Sequence, residues 1–216
     1  MTHRYWPLLD LRLTTGDLVL APLVETDLAN VTRRLPVDVE LNPAATAFGV
    51  DAATQRGVVV HQEYWRYYGT WSPSAWRLNF VVRRGGELIG LQELEGIDFP
   101  TLRTVDTSSW LVPEARGAGA GKRMRRAVLA LAFGSLGARA AITSAWHDNT
   151  ASLGVSRSIG YQPNGESLLA RADGADGADT LVHLRMTREQ WEATGAAGEV
   201  TVEGFEPCRP YFGTGG

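Results

Sequence analysis

Arg116-Gly117-Ala118-Gly119-Ala120-Gly121, followed by the stretch from Lys122 to Phe133, decides the fold. Its glycines stand at alternate positions, where a backbone without side chains can come close to a ligand and turn its N–H groups outward. The residues after Gly121 favour a helix, whose N-terminal end brings partial positive charge to the same point. Between a strand expected over 103–112 and that helix, the pattern describes a cradle for an anionic, nucleotide-like ligand.

Spacing separates the known cradle designs. A Walker A loop needs a glycine where Arg116 stands and a Ser or Thr where Arg123 stands. The dinucleotide fingerprint Gly-x-Gly-x-x-Gly meets Lys122 or Met124 where its third glycine belongs. What remains is Arg-x-x-Gly-x-Gly, carried by Arg116, Gly119 and Gly121. This resembles the pyrophosphate loop of the GNAT superfamily of acyl-CoA N-acyltransferases. Val105-Asp-Thr-Ser-Ser-Trp-Leu-Val-Pro-Glu114 is similar to that family's fourth strand, and Asp148-Asn149-Thr150-Ala151-Ser152 with Gly160-Tyr161 matches its second signature. The opening from Tyr5 to Thr15 and the late Cys208-Arg-Pro210 with Phe212-Gly213 resemble a RimJ/RimL-like branch of actinobacterial type, one member of which is regarded as a succinyltransferase.

The resemblance implies an α/β (α+β) fold: one GNAT domain with a mixed, mostly antiparallel sheet flanked by helices. The domain would span 1–216, with a core over about 17–192 and a tail over 193–216. It implies acyl-CoA as cosubstrate, acetyl-CoA first and succinyl-CoA as the alternative. The acceptor would be a primary amine on a protein N-terminus, a lysine or a small molecule, attacking directly in a ternary complex. The coenzyme would be held by Trp110, Leu111, Val112, Arg116, Gly117, Ala118, Gly119, Ala120, Gly121, Lys122, Asn149 and Ser152. Many members carry a tyrosine seven residues after the motif Asn as proton donor; here that position is Ser156. Ser152 is then the candidate to protonate or hydrogen-bond the leaving thiol, and Asp106 or Glu93 the candidate base, acting through water. A coenzyme sensor without turnover is a competing reading, motivated by Ser156. So is an antibiotic-modifying acetyltransferase with an acidic cleft formed by Glu93, Glu95, Asp98 and Asp106.

Composition bounds the alternatives. With 216 residues the chain can bury one sizeable core, and 44% hydrophobic with 21% charged residues is ordinary for a globular protein. A net charge of −3 argues against a general affinity for nucleic acid. Cys208 is the single cysteine, and no apolar run of signal-peptide or membrane-span length opens the chain. A cytoplasmic enzyme with no membrane partner is expected, with a homodimer allowed. His147-Asp148 lacks the Gly-x-Ser-x-Gly elbow of a hydrolase, and the scattered histidines offer no metal spacing, so no metal is expected.

Periodicity sets the other elements. Strands are expected over 18–23, 78–83, 87–94 and 140–145, with a closing hairpin of 167–170 and 181–186. Helices are expected from near Leu28, over 55–68 and over 150–159. The central helix should be buried on two sides, through Met124, Ala127, Val128 and Leu131 and through Leu129 and Phe133. Lys122, Arg123, Arg125 and Arg126 crowd its first turns, where each exposed cation opposes the helix dipole by about 0.3–1 kcal/mol; a polyanion would reverse that cost, and a solvated basic face is the alternative. His61, Tyr64, Trp65 and Tyr68 recur at helical spacing, followed by Trp71 and Trp76, as core packing or as an aromatic wall for the acceptor. Asp173 to Asp179 repeats Gly-Ala-Asp and reads as a polar hairpin loop rather than a calcium turn. The aromatics of Phe205 to Phe212 imply that the tail packs back on the domain.

Overall fold

A computed structural model describes residues 3–42, 45–171 and 177–214. Its centre is a sheet of nine strands: β1 (Arg12–Thr15), β2 (Leu18–Pro22), β3 (Ala75–Arg84), β4 (Glu87–Ile97), β5 (Thr104–Leu111), β6 (Ala140–Trp146), β7 (Gln162–Ala170), β8 (Ala178–Thr187) and β9 (Thr201–Glu203). They lie in the order β7-β8-β6-β5-β4-β3-β2-β1-β9, and every neighbouring pair is antiparallel except β5 and β6. Six α-helices accompany it among the described residues: α1 (Leu28–Arg34), α2 (Ala52–Gly69), α3 (Phe99–Leu102), α4 (Ala120–Ala130), α5 (Thr150–Ser158) and α6 (Arg188–Ala193).

Alternation along the strands divides the layers. On β3, Trp76, Leu78, Phe80 and Val82 enter the main core, whereas Val81 joins a second cluster with Leu23, Leu28, Val31 and Leu88 under α1 and α2. The main core lies between the sheet and α4, where Met124, Ala127, Val128, Leu129, Leu131 and Phe133 are all buried. The two-sided burial expected of this helix is observed, and it ends in a π turn over Leu131–Ser135. The β3–β4 hairpin turns on Gly85 and Gly86, with φ of 56° and 87°; two successive positive φ values match a primed turn, which only glycine adopts cheaply. Asp51 caps α2 by accepting from the N–H groups of Ala53 (3.1 Å) and Thr54 (3.0 Å).

Differences from expectation lie at short or irregular pieces. Strands β1 and β9 were not marked by the periodicity, each being only three or four residues long. They pair with one another, so residues on both sides of the expected core belong to the same sheet. After Ile97 the chain makes the helical turn α3 before β5, bracketed by Asp98 and Arg103, both at φ 47°. The aromatic segments divide. Trp76 and Phe212 pack edge to face in the core with ring centroids 4.8 Å apart, and Trp71 joins them, so the tail is locked down by Phe205, Cys208 and Phe212. On α2, Trp65 is exposed, Tyr64 faces a cleft, and the Tyr68 hydroxyl donates to Leu23 O at 2.8 Å. The Gly-Ala-Asp repeat falls mainly on 172–176, outside the described residues.

Candidate functional site

The site begins where the sheet comes apart. Strands β5 and β6 pair only over Thr104–Asp106 and Ala140–Ile142, yet β5 runs on to Leu111 beside β4, and β6 to Trp146 beside β8. Threonine hydroxyls close the apex: Thr143 Oγ1 donates to Thr107 O at 2.8 Å, and Thr107 Oγ1 to Ile142 O at 3.3 Å. Beyond them the β6-facing edge of β5 has no strand partner among the described residues. Val112 N–H donates to Ile89 O (3.0 Å), so strand alternation also turns the N–H of Trp110 toward β4. The N–H groups of Ser109 and Leu111 consequently face the gap. Trp110 and Leu111 are both expected to hold the coenzyme, and the register turns only the N–H of Leu111 into the gap.

A cleft of about 1000 Å³ opens from this gap to the glycine loop. Gly117 and Gly119 hold φ of 79° and 76°, values in the left-handed region. Gly119 is the N-cap of α4, and no side chain caps the helix, which leaves its first-turn N–H groups for a ligand. Gly121 lines the cleft between α5 and β5, and a Cβ there would make only ordinary contacts, 3.4 Å from Val155 and 3.7 Å from Leu111, on its protein side. Asn149 caps α5 by accepting from Ser152 N–H at 3.0 Å, and both line the cleft.

A second cleft of about 810 Å³ lies under α2. Glu93 lines it, accepting from Ser108 Oγ at 3.0 Å with Arg77 Nη1 at 3.4 Å. Burial pushes the Glu93 carboxyl up to about 7; Arg77 and Ser108 oppose the rise, and Glu95 and Asp106 reinforce it. Arg77 is itself held by Glu95 and accepted by the Tyr67 hydroxyl, which donates in turn to Glu63. The two clefts share Ser109, Trp110 and the strap Val39-Glu40-Leu41. The strap is tied on three sides. Arg56 donates to Pro36 O (2.6 Å) and Val39 O (3.2 Å), Trp146 Nε1 donates to Glu40 (2.9 Å), and Asp38 takes both terminal nitrogens of Arg116 (2.6 and 2.9 Å).

The expected coenzyme residues therefore divide. Trp110, Leu111, Arg116, Gly117, Gly119, Gly121, Lys122, Asn149 and Ser152 line the first cleft. Val112 and Ala120 do not: both are buried in the main core, and the Val112 N–H is spent on β4. Ala118 is exposed on the loop and is not part of the cleft wall. Of the candidate bases, Glu93 lines the second cleft, whereas Asp106 lines neither; burial pushes its carboxyl up to about 6, and it accepts from Thr107 N–H at 2.6 Å. Within the proposed acidic group, Glu95 is engaged by Arg77, and Asp98 sits in the turn before α3. Two of the helix-start cations pair with carboxylates: Arg123 with Asp17, and Arg126 with Glu199 at 3.1 Å. The strap and the α2 residues Glu63 and Tyr67 were missed, because nothing in their spacing marks a site.

The matching family model is the acetyltransferase (GNAT) domain, over residues 17–162. The chain belongs to the GNAT acetyltransferase family. Among solved structures, this GNAT chain is similar to Mycobacterium smegmatis RimJ in complex with CoA-disulfide, at 21% identity and a TM-score of 0.64 over 90% of this chain and 97% of that one. A spermidine N-acetyltransferase SpeG chimera from Vibrio cholerae and hSSAT matches at 15% identity and 0.62 over 82% and 99%. A GNAT-family acetyltransferase from Bacillus anthracis matches at 17% and 0.63 over 82% and 99%. At these identities the likeness is one of fold, and it fixes the GNAT domain with its mixed sheet. Among the described residues no helix is long and apolar enough to cross a membrane, and no three His, Cys, Asp or Glu side chains cluster to hold a metal ion.

Proposed function

We propose that this GNAT protein, of RimJ/RimL-like type, transfers an acetyl or other short acyl group, succinyl included, from acyl-CoA to a primary amine by direct attack in a ternary complex. The observation that carries this reading is the meeting of two unlike clefts at Ser109 and Trp110. One is walled by backbone donors and an uncapped helix start, suited to a pyrophosphate and an extended amide chain. The other holds a carboxylate whose affinity for protons is raised to the level an amine base needs.

In this mechanism Glu93, directly or through water, takes the proton of the acceptor ammonium. The N–H groups of Ser109 and Leu111, facing the gap, polarise the acyl carbonyl. Ser152 donates a hydrogen bond toward the sulphur, and Asn149 keeps α5 capped so that Ser152 stays in place. Lys122 and Arg116 bind phosphate oxygens, with Arg116 exchanging its Asp38 carboxylate for the ligand. Asp106 is a structural carboxylate. The acceptor, on a protein N-terminus, a lysine or a small molecule, enters under α2 beside Tyr64 and Tyr67.

The test is release of free CoA thiol from acetyl-CoA and succinyl-CoA with a panel of peptides, lysine derivatives, polyamines and aminoglycosides. Turnover with any amine supports the reading; a folded protein that consumes neither donor with any amine overturns it. One observation favours a sensor without turnover: Ser156 is buried and its hydroxyl is spent on Ser152 O at 3.1 Å. Tight CoA binding in calorimetry together with no turnover would select that reading.

A further inference from the structure

Arg125 lies on α4, one turn beyond the glycine loop, and is 2% exposed. Among the described residues no carboxylate pairs with it. Nη1 donates to Thr143 Oγ1 at 3.3 Å and Nη2 to Ser109 Oγ at 3.2 Å, both at the long end of hydrogen-bond geometry. The Tyr161 hydroxyl is within its reach, and Nε is buried with no hydrogen-bond partner. A guanidinium keeps its charge at any working pH, and removing it from water without a counter-anion is costly. The other ionisable groups packed around it do not neutralise it. Asp106 on β5 feels its charge, which opposes the rise that burial gives that carboxyl, but forms no ion pair with it among the described residues, and burial pushes the Tyr161 hydroxyl upward so that it stays neutral. Lys122, Glu40, Asp148 and Arg171 line the same cleft.

Its place is specific. Arg125 lines the first cleft, and its partner Ser109 lines both, so the guanidinium stands where the two substrates must meet. Ser109 carries its hydroxyl at that junction and Ser152 lines the first cleft, and alcohols are far too weakly acidic to protonate a thiolate, whose conjugate acid ionises near pH 8.5 in a free cysteine. The departing sulphur can accept a hydrogen bond from them but not their protons.

We propose that Arg125 receives the negative charge of the departing sulphur. The amine nitrogen bonds to the acyl carbon, the carbon–sulphur bond breaks, and its electron pair leaves on sulphur. The thiolate is held beside the guanidinium while the nitrogen of the new amide gives its surplus proton to solvent, Glu93 still carrying the proton it took from the ammonium, and solvent protonates the sulphur after release. This rests on acyl-CoA being the donor.

The experiment uses the full chain with CoA alone. The ionisation of its bound thiol is followed by thiolate ultraviolet absorbance against pH, with desulfo-CoA as the control lacking sulphur. A guanidinium beside the sulphur lowers the ionisation of bound CoA by about one pH unit or more relative to the free coenzyme. Arg125→Met returns it to the free value, and Arg125→Lys retains part of the shift. A bound thiol that titrates like free CoA in the wild type, or one unaltered by Arg125→Met, overturns the inference. If Arg125→Met does not fold, the wild-type shift and the Arg125→Lys variant decide alone. Failure of CoA to bind at all refutes the donor reading above instead, so the two failures are distinguishable.

Discussion

The two clefts that meet at Ser109 and Trp110 are built from different parts of the chain. The first is made largely of backbone: two left-handed glycines, an uncapped helix start and the free edge of β5. The second is made of side chains: Glu63, Tyr64, Tyr67, Arg77 and Glu93, each held by its neighbours. Backbone donors cannot be exchanged one residue at a time, so the first cleft is tied to one ligand geometry. The second can be recast by replacing a few side chains on α2, β3 and β4 without disturbing the sheet.

Substitutions can break or sharpen that contrast. Glu93→Gln should have the largest effect, lowering kcat/KM by about a hundredfold or more while CoA binding in calorimetry is unchanged. Asp106→Asn should alter the rate by less than about threefold; equal losses at both positions would erase the distinction drawn between them. Because burial pushes the Glu93 carboxyl up to about 7, kcat/KM should rise with pH through that value and then level, and Glu93→Gln should lose the rising limb. The same group makes a stability argument. Its folded carboxyl holds a proton at pH values where the unfolded chain has lost it, so its contribution is fully present below the ordinary carboxylate range and is lost as pH rises through about 7. The melting temperature of Glu93→Gln should show a flatter decline over that window.

Gly119→Val should weaken CoA binding by about a hundredfold, since a β-branched residue resists the left-handed conformation. Its Cβ would meet nothing within 4 Å, so the backbone strain alone should lower the melting temperature, by a few degrees. Binding unchanged in calorimetry would remove the cradle from the argument. Asp38→Asn should have the smallest effect, tightening CoA binding about two- to fivefold by freeing Arg116 from an exposed pair. An unchanged affinity would mean that Arg116 does not touch the ligand.

The same contrast explains what could be read beforehand. Gly117, Gly119 and Asn149 sit at fixed offsets because a left-handed turn and a helix cap each demand a residue type at one position. Long elements such as α4, β3 and β4 were legible from periodicity for a similar reason. Nothing local marks Asp38, Glu40 or Tyr67; they reach the site through tertiary placement from a strap and a helix whose spacing is indifferent to it. Arg125 was visible only as one cation among four. Its burial depends on the gap between β5 and β6, and its neighbour Arg126, which pairs with Glu199, differs from it by a single step round the helix. The short strands β1 and β9 carry too few residues for alternation to show.

The parting of β5 from β6 also bears on cooperativity. Among the described residues, strand pairing between β5 and β6 is limited to three residue pairs, backed by the Arg139 N–H bond to Arg103 O and two threonine hydroxyls; beyond that seam the two parts communicate through the strap and the helices packed on them. A sheet seamed in this way is two sub-sheets sharing a helix layer, each able to open at its own free energy. A molecule lying along the seam acts as a splint. It links the two openings, so that the ligand supplies part of the unity that an unbroken hydrogen-bond ladder gives other sheets.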